Sequence, residues 1–312
     1  MANTSGIIAQ IWKAIKQLNP DKPIREANRP FTLALVGTDE DIAAMRAFVM
    51  GNAESQADVA PAREVIKEYT LPLDEISAAD LLRADLALST ERDWSSNQKI
   101  ADLFFQFDPS NPESTSEKLC GDGRITELKL SIGRQLPGLR AEIAHSVVRD
   151  VSLENAVFVI ASALGDIIPS PLLPLLGILE AASDTVVLTV NQIRMAFIIG
   201  AVYGAEVGYV AQWKEISSII GAAFGWRAIA RELVSKIPFG GGLVPKGAIA
   251  YVGTTAMGRG LIFFYTTGRH MTKKELLQSS RDAYARAAEI VRAKICRRHR
   301  KLPPGDEQNI DW

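Results

Sequence analysis

The pattern of hydrophobic and polar positions changes character partway along the chain. Near the N-terminus, short apolar runs of strand length alternate with stretches of helical periodicity. The first unit is the clearest, because the run 31–36 leads into Gly37 and a helical pattern follows at once. Three later runs also have the length and composition of strands: 67–71, 84–88 and 103–107. Strands that alternate with helices predict a parallel α/β layer.

From about residue 139 the pattern becomes helical and remains so. Leu139, Ile143 and Val147 share one face of a helix that becomes almost wholly apolar further on, and three prolines between 169 and 174 predict its end. The segment 108–123 is rich in Ser, Pro, Asp, Asn and Gly, which predicts a loop. Further helices are predicted at 180–210, 213–236, 246–267 and 272–298.

These patterns divide the chain into four segments. They are an N-terminal amphipathic helix (1–27), a Rossmann-like α/β domain (28–135), an all-α hydrophobic helical domain (139–270) and a basic C-terminal helix and tail (271–312). Charge density supports the division, since residues 151–268 hold only 14 charged side chains. The first twenty residues lack the features of a secretory signal, so we expect the chain to stay in the cytosol.

Composition excludes several classes of function. With 35 basic and 36 acidic residues, the net charge of −1 argues against a nucleic-acid binder. Two cysteines and three histidines leave little material for a zinc site or a Cys/His catalytic centre. We therefore expect no enzymatic activity, no cofactor, no metal and no small-molecule substrate.

The turn after the first predicted strand is the place for a phosphate-binding loop, but the motif is degenerate. Counted from Gly37, the positions of the second glycine, the lysine and the hydroxyl residue are Ile42, Ala43 and Ala44. After the third strand, residues 90–93 have the spacing of the guanine-reading T-K-x-D element, with Glu91 in place of the lysine. If a nucleotide bound at all, these residues would hold it: Gly37, Thr38, Thr90 and Asp93.

Three apolar segments approach the length of a membrane span, and each carries a charge. They are 155–183 with Asp166, 195–211 with Glu206, and 247–268 with Arg259. A soluble or interfacial helical bundle and a partly inserted hairpin both fit this pattern. Small residues at helical spacing predict close helix packing, and they include Gly200, Gly204, Gly208, Gly253 and Gly258. Three aromatic residues are candidate interfacial anchors, although burial in the core is the commoner role of such residues: Trp213, Trp226 and Tyr251.

A series of short elements in the helical part resembles a known family. In chain order these elements are Asn155-Ala156, Asp184 to Thr189, Asn191-Gln192, Met195, Tyr203-Gly204, Gly225 to Arg227, Ala230-Arg231, Ile237-Pro238, Ala250 to Thr254, Gly258 and Tyr265 to Gly268. Together they resemble domain of unknown function family 697, the hydrophobic helical domain of many bacterial Era-like GTPases and of YcjF-type inner-membrane proteins. The resemblance covers about residues 140–270.

The resemblance implies a helical, membrane-facing module coupled to a G-domain or its relic, and it implies no catalytic residues. One departure is the segment 169–182, which is longer than the short proline-containing turn that is usual there. We therefore do not carry over a membrane topology from the family.

Two groups of polar residues stand out in the second half. We expect a polar network among residues interleaved with apolar faces, with Asp184 accepting from an arginine; its members are Asn155, Asp184, Gln192, Arg227 and Arg231. The basic tail is expected to bind an anionic surface through Arg297, Arg298, Arg300 and Lys301. The alternative is a solvated helix end whose cations interact favourably with the helix dipole.

The expected function is that of a non-enzymatic, membrane-associated scaffold or adaptor. Its expected partners are an anionic membrane or a protein, including a second copy of the chain. It is expected at the cytoplasmic face of the membrane, peripheral or partly inserted. The alternatives are a GTPase-like, nucleotide-responsive protein and a fully soluble, cytoplasmic helical partner-binding protein.

Overall fold

The computed structural model describes residues 4–51, 56–91, 101–164, 184–221, 243–272, 274–276 and 278. The four strands of the sheet are β1 (Leu33–Gly37), β2 (Ile66–Thr70), β3 (Leu86–Ser89) and β4 (Phe104–Gln106). The helices around and before the sheet are α1 (Thr4–Ile15), α2 (Asp21–Ala27), α3 (Asp39–Met50), α4 (Gln56–Val65), α5 (Glu75–Leu81) and α6 (Pro112–Gly121). The later helices are α7 (Lys129–Gln135), α8 (Pro137–Leu164), α9 (Asp184–Tyr203), α10 over 213–221, and α11 (Leu243–Thr267).

The sheet is parallel throughout, with the strand order β2-β1-β3-β4. The prediction of an α/β region followed by helices is confirmed, and each strand lies within two residues of its predicted position. Every residue of β1 is buried, as expected for a central strand of a parallel sheet with both faces covered. Leu33 and Leu35 face the larger core with α3, whereas Ala34 and Val36 face a smaller cluster that includes Leu81 of α5.

The predicted loop at 108–123 is wrong, because α6 occupies most of it. Asn111 caps this helix by accepting a hydrogen bond from the Ser114 backbone, and Pro112 occupies its first turn. Leu119 and Cys120 then anchor the helix in the larger core, where burial raises the pKa of the Cys120 thiol to about 11. The polar composition marks the beginning of the helix rather than an irregular segment.

The second half of the described chain is a helical bundle around α8, which packs against α7, α9 and α11. Its core also receives α1, whose Ile11, Ala14 and Ile15 are almost completely buried beside Phe197 of α9. The N-terminal helix therefore folds against the distant second half of the chain. The predicted long helix from about residue 139 is confirmed as α8.

The sheet layer and the bundle share a wall where α3 ends and α8 begins. Gly51 at the end of α3 has a φ of 54°, and a Cβ added there would lie 2.8 Å from the Cα of Gly138. A Cβ on Gly138 would overlap the carbonyl oxygen of Phe48. The two backbones thus touch directly, and the larger core runs on from the sheet through Ile132 and Ile143.

Candidate functional site

The first candidate site lies at the carboxyl edge of the sheet, where β1 leads into α3. Thr38 caps α3, and its hydroxyl accepts a hydrogen bond from the Asp41 backbone N–H at 3.2 Å. Asp41 reaches back, and its Oδ2 accepts from the Thr38 backbone N–H at 3.1 Å and from the Thr38 hydroxyl at 2.6 Å. This reciprocal capping box places a carboxylate at the N-terminus of the helix.

The charge of Asp41 is stabilised in this position. Hydrogen bonds from the Thr38 side chain and backbone hold the pKa of Asp41 below its ordinary value, against the opposing effect of burial. Thr90, which follows β3, also lies close enough to lower the pKa of this carboxylate slightly. Because β1 and β3 are neighbours in the sheet, the structure brings Thr38 and Thr90 to the same edge, beside Asp41.

Space at this edge is limited by the same carboxylate. A Cβ built on Gly37 would lie 2.7 Å from the Cβ of Asp41, so only glycine fits this turn. Asp39 and Glu40 add negative charge in the first turn of α3, and Asp39 accepts a hydrogen bond from the Thr70 hydroxyl at 3.2 Å. Asp93, the fourth residue predicted for a bound nucleotide, lies outside the described residues.

The second candidate site is a layer of polar side chains inside the helical bundle. Asn155 of α8 is completely buried, and its Nδ2 donates to the Thr254 hydroxyl of α11 at 2.8 Å. Its Oδ1 accepts from Nδ2 of Asn191 on α9, also at 2.8 Å. Gln192 adds a longer hydrogen bond of 3.3 Å to the Thr254 hydroxyl. Three helices are thus held at one level by amide and hydroxyl groups.

Only part of this polar layer was predicted. Asn155 and Gln192 take part as expected, while Asn191 and Thr254 were noted only as elements of the family resemblance. A neighbouring pair, in which the Thr255 hydroxyl donates to the Ser152 hydroxyl at 2.9 Å, was missed. This pair could have been predicted from the sequence, because Ser152 and Asn155 are three residues apart and so lie on the same, otherwise apolar, helix face.

Asp184 lies apart from this layer. Its exposed carboxylate accepts a hydrogen bond from the Ser162 hydroxyl of α8 at 2.8 Å. The predicted partners Arg227 and Arg231 lie outside the described residues. The ion pair that does join α8 and α9 is formed by Glu154 and Arg194, 2.5 Å apart.

The glycines predicted at helix contacts fall into two groups. A Cβ on Gly258 would overlap the side chain of Val148, and one on Gly200 would lie 2.6 Å from Nε2 of Gln212, so both are required by close packing. Gly204 lies just beyond the end of α9 at Tyr203, and a Cβ there would overlap the guanidinium group of Arg134 on α7. Gly208 requires a correction, because it lies outside α9 and a Cβ there would have no neighbour within 4 Å. Gly253 is half-buried within α11.

Gly204 ends α9 by taking a left-handed conformation, with a φ of 71°. Its N–H donates to Ala201, and the next N–H, of Ala205, donates to Gly200, which is the hydrogen-bond pattern of a Schellman motif. A predicted span at 195–211 is therefore wrong, because the helix stops in its middle. The long helix lies earlier, at Asp184–Tyr203.

Among the described residues, α9 alone is long and apolar enough to cross a bilayer. In its most apolar stretch of 18 residues, 72% is buried inside the protein. The predicted span 155–183 is described only to residue 164, and 247–268 corresponds to α11. Of the three aromatic anchors, Trp213 is 54% exposed, Tyr251 is buried, and Trp226 lies outside the described residues. Tyr251 thus takes the buried role that is the commoner one for such aromatic residues. The basic residues Arg297, Arg298, Arg300 and Lys301 also lie outside the described residues.

Comparison of this chain with protein-family models, with curated proteins and with solved structures finds no match.

Proposed function

We propose that this protein is a non-enzymatic scaffold or adaptor that sits peripherally on the cytoplasmic face of a membrane. In this proposal the α/β layer is a Rossmann-like relic of a nucleotide-binding domain with a degenerate phosphate loop. The helical bundle is a module of the family 697 type, which holds the protein at the membrane or on a protein partner. The resemblance in the sequence and the parallel strand order support this assignment.

The observation that carries the proposal is the carboxylate of Asp41 at the N-terminus of α3. A phosphate binds such a helix end through free backbone N–H groups and the positive end of the helix dipole. Here the Thr38 N–H already donates to Asp41, and Asp39 and Glu40 add two more acidic side chains in the same turn. A phosphate group would meet like charge where it needs donors, which favours a binding role over nucleotide turnover.

The burial of α9 favours peripheral attachment over a transmembrane topology. Its apolar residues, including Phe197 and Ile199, are already packed against α1 and α8. Insertion would exchange these contacts for lipid contacts of similar polarity and would gain little. Attachment through the surface of the folded bundle, supported by the basic segment 269–301, keeps the core intact.

The experiment has two measurements on the full-length protein. Calorimetric titration with GTP, GDP and ATP in the presence of Mg²⁺ should give no binding heat, and no phosphate should be released. Flotation with anionic vesicles should recover the protein with the lipid. Micromolar, magnesium-dependent binding that is lost in Thr38→Ala would instead establish the GTPase-like alternative.

A second candidate function is a fully soluble helical partner-binding protein. The burial of α9 within the bundle favours this second candidate, because the apolar side chains of α9 are already packed inside the protein and are not available to lipid. Cell fractionation separates the two candidates. A peripheral protein leaves the membrane fraction in carbonate or high salt, whereas a soluble protein is never found there.

A further inference from the structure

An exposed apolar patch lies where α1 meets the start of α10 and the residues just before it. Trp12 and Trp213 stack with their ring centroids 5.6 Å apart and their planes 17° from parallel. Val210 is 91% exposed and Trp213 is 54% exposed, two of the four large hydrophobic residues that are exposed in the described part of the chain. We call Trp12, Val210 and Trp213 the tryptophan patch.

The neighbours of the patch hold it firmly in place. The Tyr209 hydroxyl lies 2.6 Å from the carbonyl oxygen of Ile15 and 2.5 Å from that of Leu18, which ties the loop to the end of α1. Gln212 is almost completely buried and donates to the Ala196 carbonyl at 2.9 Å. Residues 209 and 212 therefore point inward while Val210 and Trp213 stay outside. The hydrogen bonds of Tyr209 and Gln212 therefore hold the patch at the surface.

The charges around the patch are mostly positive. Lys13 on α1 and Lys16 directly after it are exposed, and Lys16 follows Trp12 by four residues. Lys214 is exposed next to Trp213. Residues 1–20 contain no acidic side chain. Of the two carboxylates in the 206–215 segment, Glu215 is buried and accepts from the Tyr265 hydroxyl at 3.2 Å, which leaves Glu206 as the exposed one.

We propose that the tryptophan patch is the surface that enters the headgroup region of an anionic membrane. Indole rings favour the boundary between headgroups and acyl chains, and lysines beside them bind lipid phosphates. The pairing of a partly exposed indole stack with three neighbouring cations fits this surface better than it fits an uncharged protein face. The inference rests on the proposed function, because it specifies which part of the bundle meets the bilayer.

The test uses the full-length protein and vesicles of phosphatidylglycerol mixed with phosphatidylcholine. Val210→Asp places a charge in the patch at a position whose exposure leaves the fold undisturbed. Ile76→Asp is the matched control, since Ile76 is 81% exposed on α5 in the sheet layer. We expect Val210→Asp to weaken vesicle binding about tenfold and Ile76→Asp to bind like the wild type.

A second measurement covers the lysines. The double variant Lys13→Gln and Lys16→Gln should lose about fivefold in binding for each lysine at low salt. The loss should disappear at high salt, where the charges are screened. Tryptophan fluorescence of the wild type should also be quenched by brominated lipids, and a Trp213→Phe variant should lose part of that quenching.

The outcomes separate the two proposals. Equal vesicle binding by wild type, Val210→Asp and Ile76→Asp overturns the tryptophan patch while membrane association stands. A wild-type protein that binds no vesicles overturns both proposals. A wild type that stays in solution but forms a dimer broken by Val210→Asp would assign the patch to a second copy of the chain instead.

Discussion

Replacement of Asn155 by Leu should destabilise the protein strongly, although the two side chains have similar volumes. Asn155 is completely buried and makes two hydrogen bonds of 2.8 Å, to Thr254 and Asn191. Its loss leaves the Asn191 amide N–H without an acceptor in the core, while Thr254 keeps its longer bond from Gln192. An unsatisfied buried donor costs about 1–3 kcal/mol, and each lost hydrogen bond adds roughly 1 kcal/mol.

The expected decrease in the free energy of unfolding is about 3–5 kcal/mol. Urea denaturation followed by far-UV circular dichroism measures it as a lower midpoint with an unchanged slope. The control is the double variant Ser152→Ala and Thr255→Val. It removes both partners of a neighbouring buried hydrogen bond and should cost about 1 kcal/mol or less.

A third variant tests the reasoning directly. It combines Asn155→Leu, Asn191→Leu and Thr254→Val. None of these three positions then carries a buried donor without a partner. Most of the lost stability should then return. An Asn155→Leu protein as stable as the wild type, or a triple variant less stable than the single one, would refute the account of the polar layer.

Three further predictions concern other parts of the chain. Thr38→Ala removes the capping box of α3 and should lower the unfolding free energy by about 1 kcal/mol in urea, whereas Thr70→Ala should change it by less than about 0.5 kcal/mol. Burial lowers the pKa of His145 in the folded protein, so as the pH falls the unfolded chain takes up a proton, near pH 6.5, before the folded protein does. The free energy of unfolding should therefore decrease as the pH drops from about 7.5 to about 5.5. In His145→Asn, the urea midpoint should depend less steeply on pH over this range. A variant in which four basic tail residues become Gln should bind phosphatidylglycerol vesicles more weakly and with a flatter salt dependence, and unchanged binding would show that the tail takes no part. Those four residues are Arg297, Arg298, Arg300 and Lys301.

The strands could be predicted because their signal is local. Short apolar runs bounded by polar turns are formed by residues that are neighbours in the sequence, and β1 shows this most clearly. The capping role of Asp41 was also accessible, since acidic residues in the first turn of a helix interact well with its dipole. The proximity of Asp41 to Thr90 could not be predicted in this way, because it depends on β1 and β3 being neighbours in the sheet.

The features that were missed depend on contacts between distant residues. The small residues 200, 204 and 208 have the spacing of one helix face, and only the left-handed backbone of Gly204 shows that the face ends there. In the same way, the stacking of Trp12 on Trp213 joins residues that are about two hundred positions apart in the chain. No periodicity within either segment contains that information.

The glycine contact between α3 and α8 has a consequence for any attempt to take the molecule apart. A fragment cut just before α8 would lose the surface on which Gly51 rests and would expose Ile132 and Leu136 to water. A chimera that inherits the sheet must therefore inherit α7 and the first turns of α8 with it, up to about Ile143. The unit that can be transplanted between proteins is defined by this shared wall, and it ends inside a helix rather than at a linker.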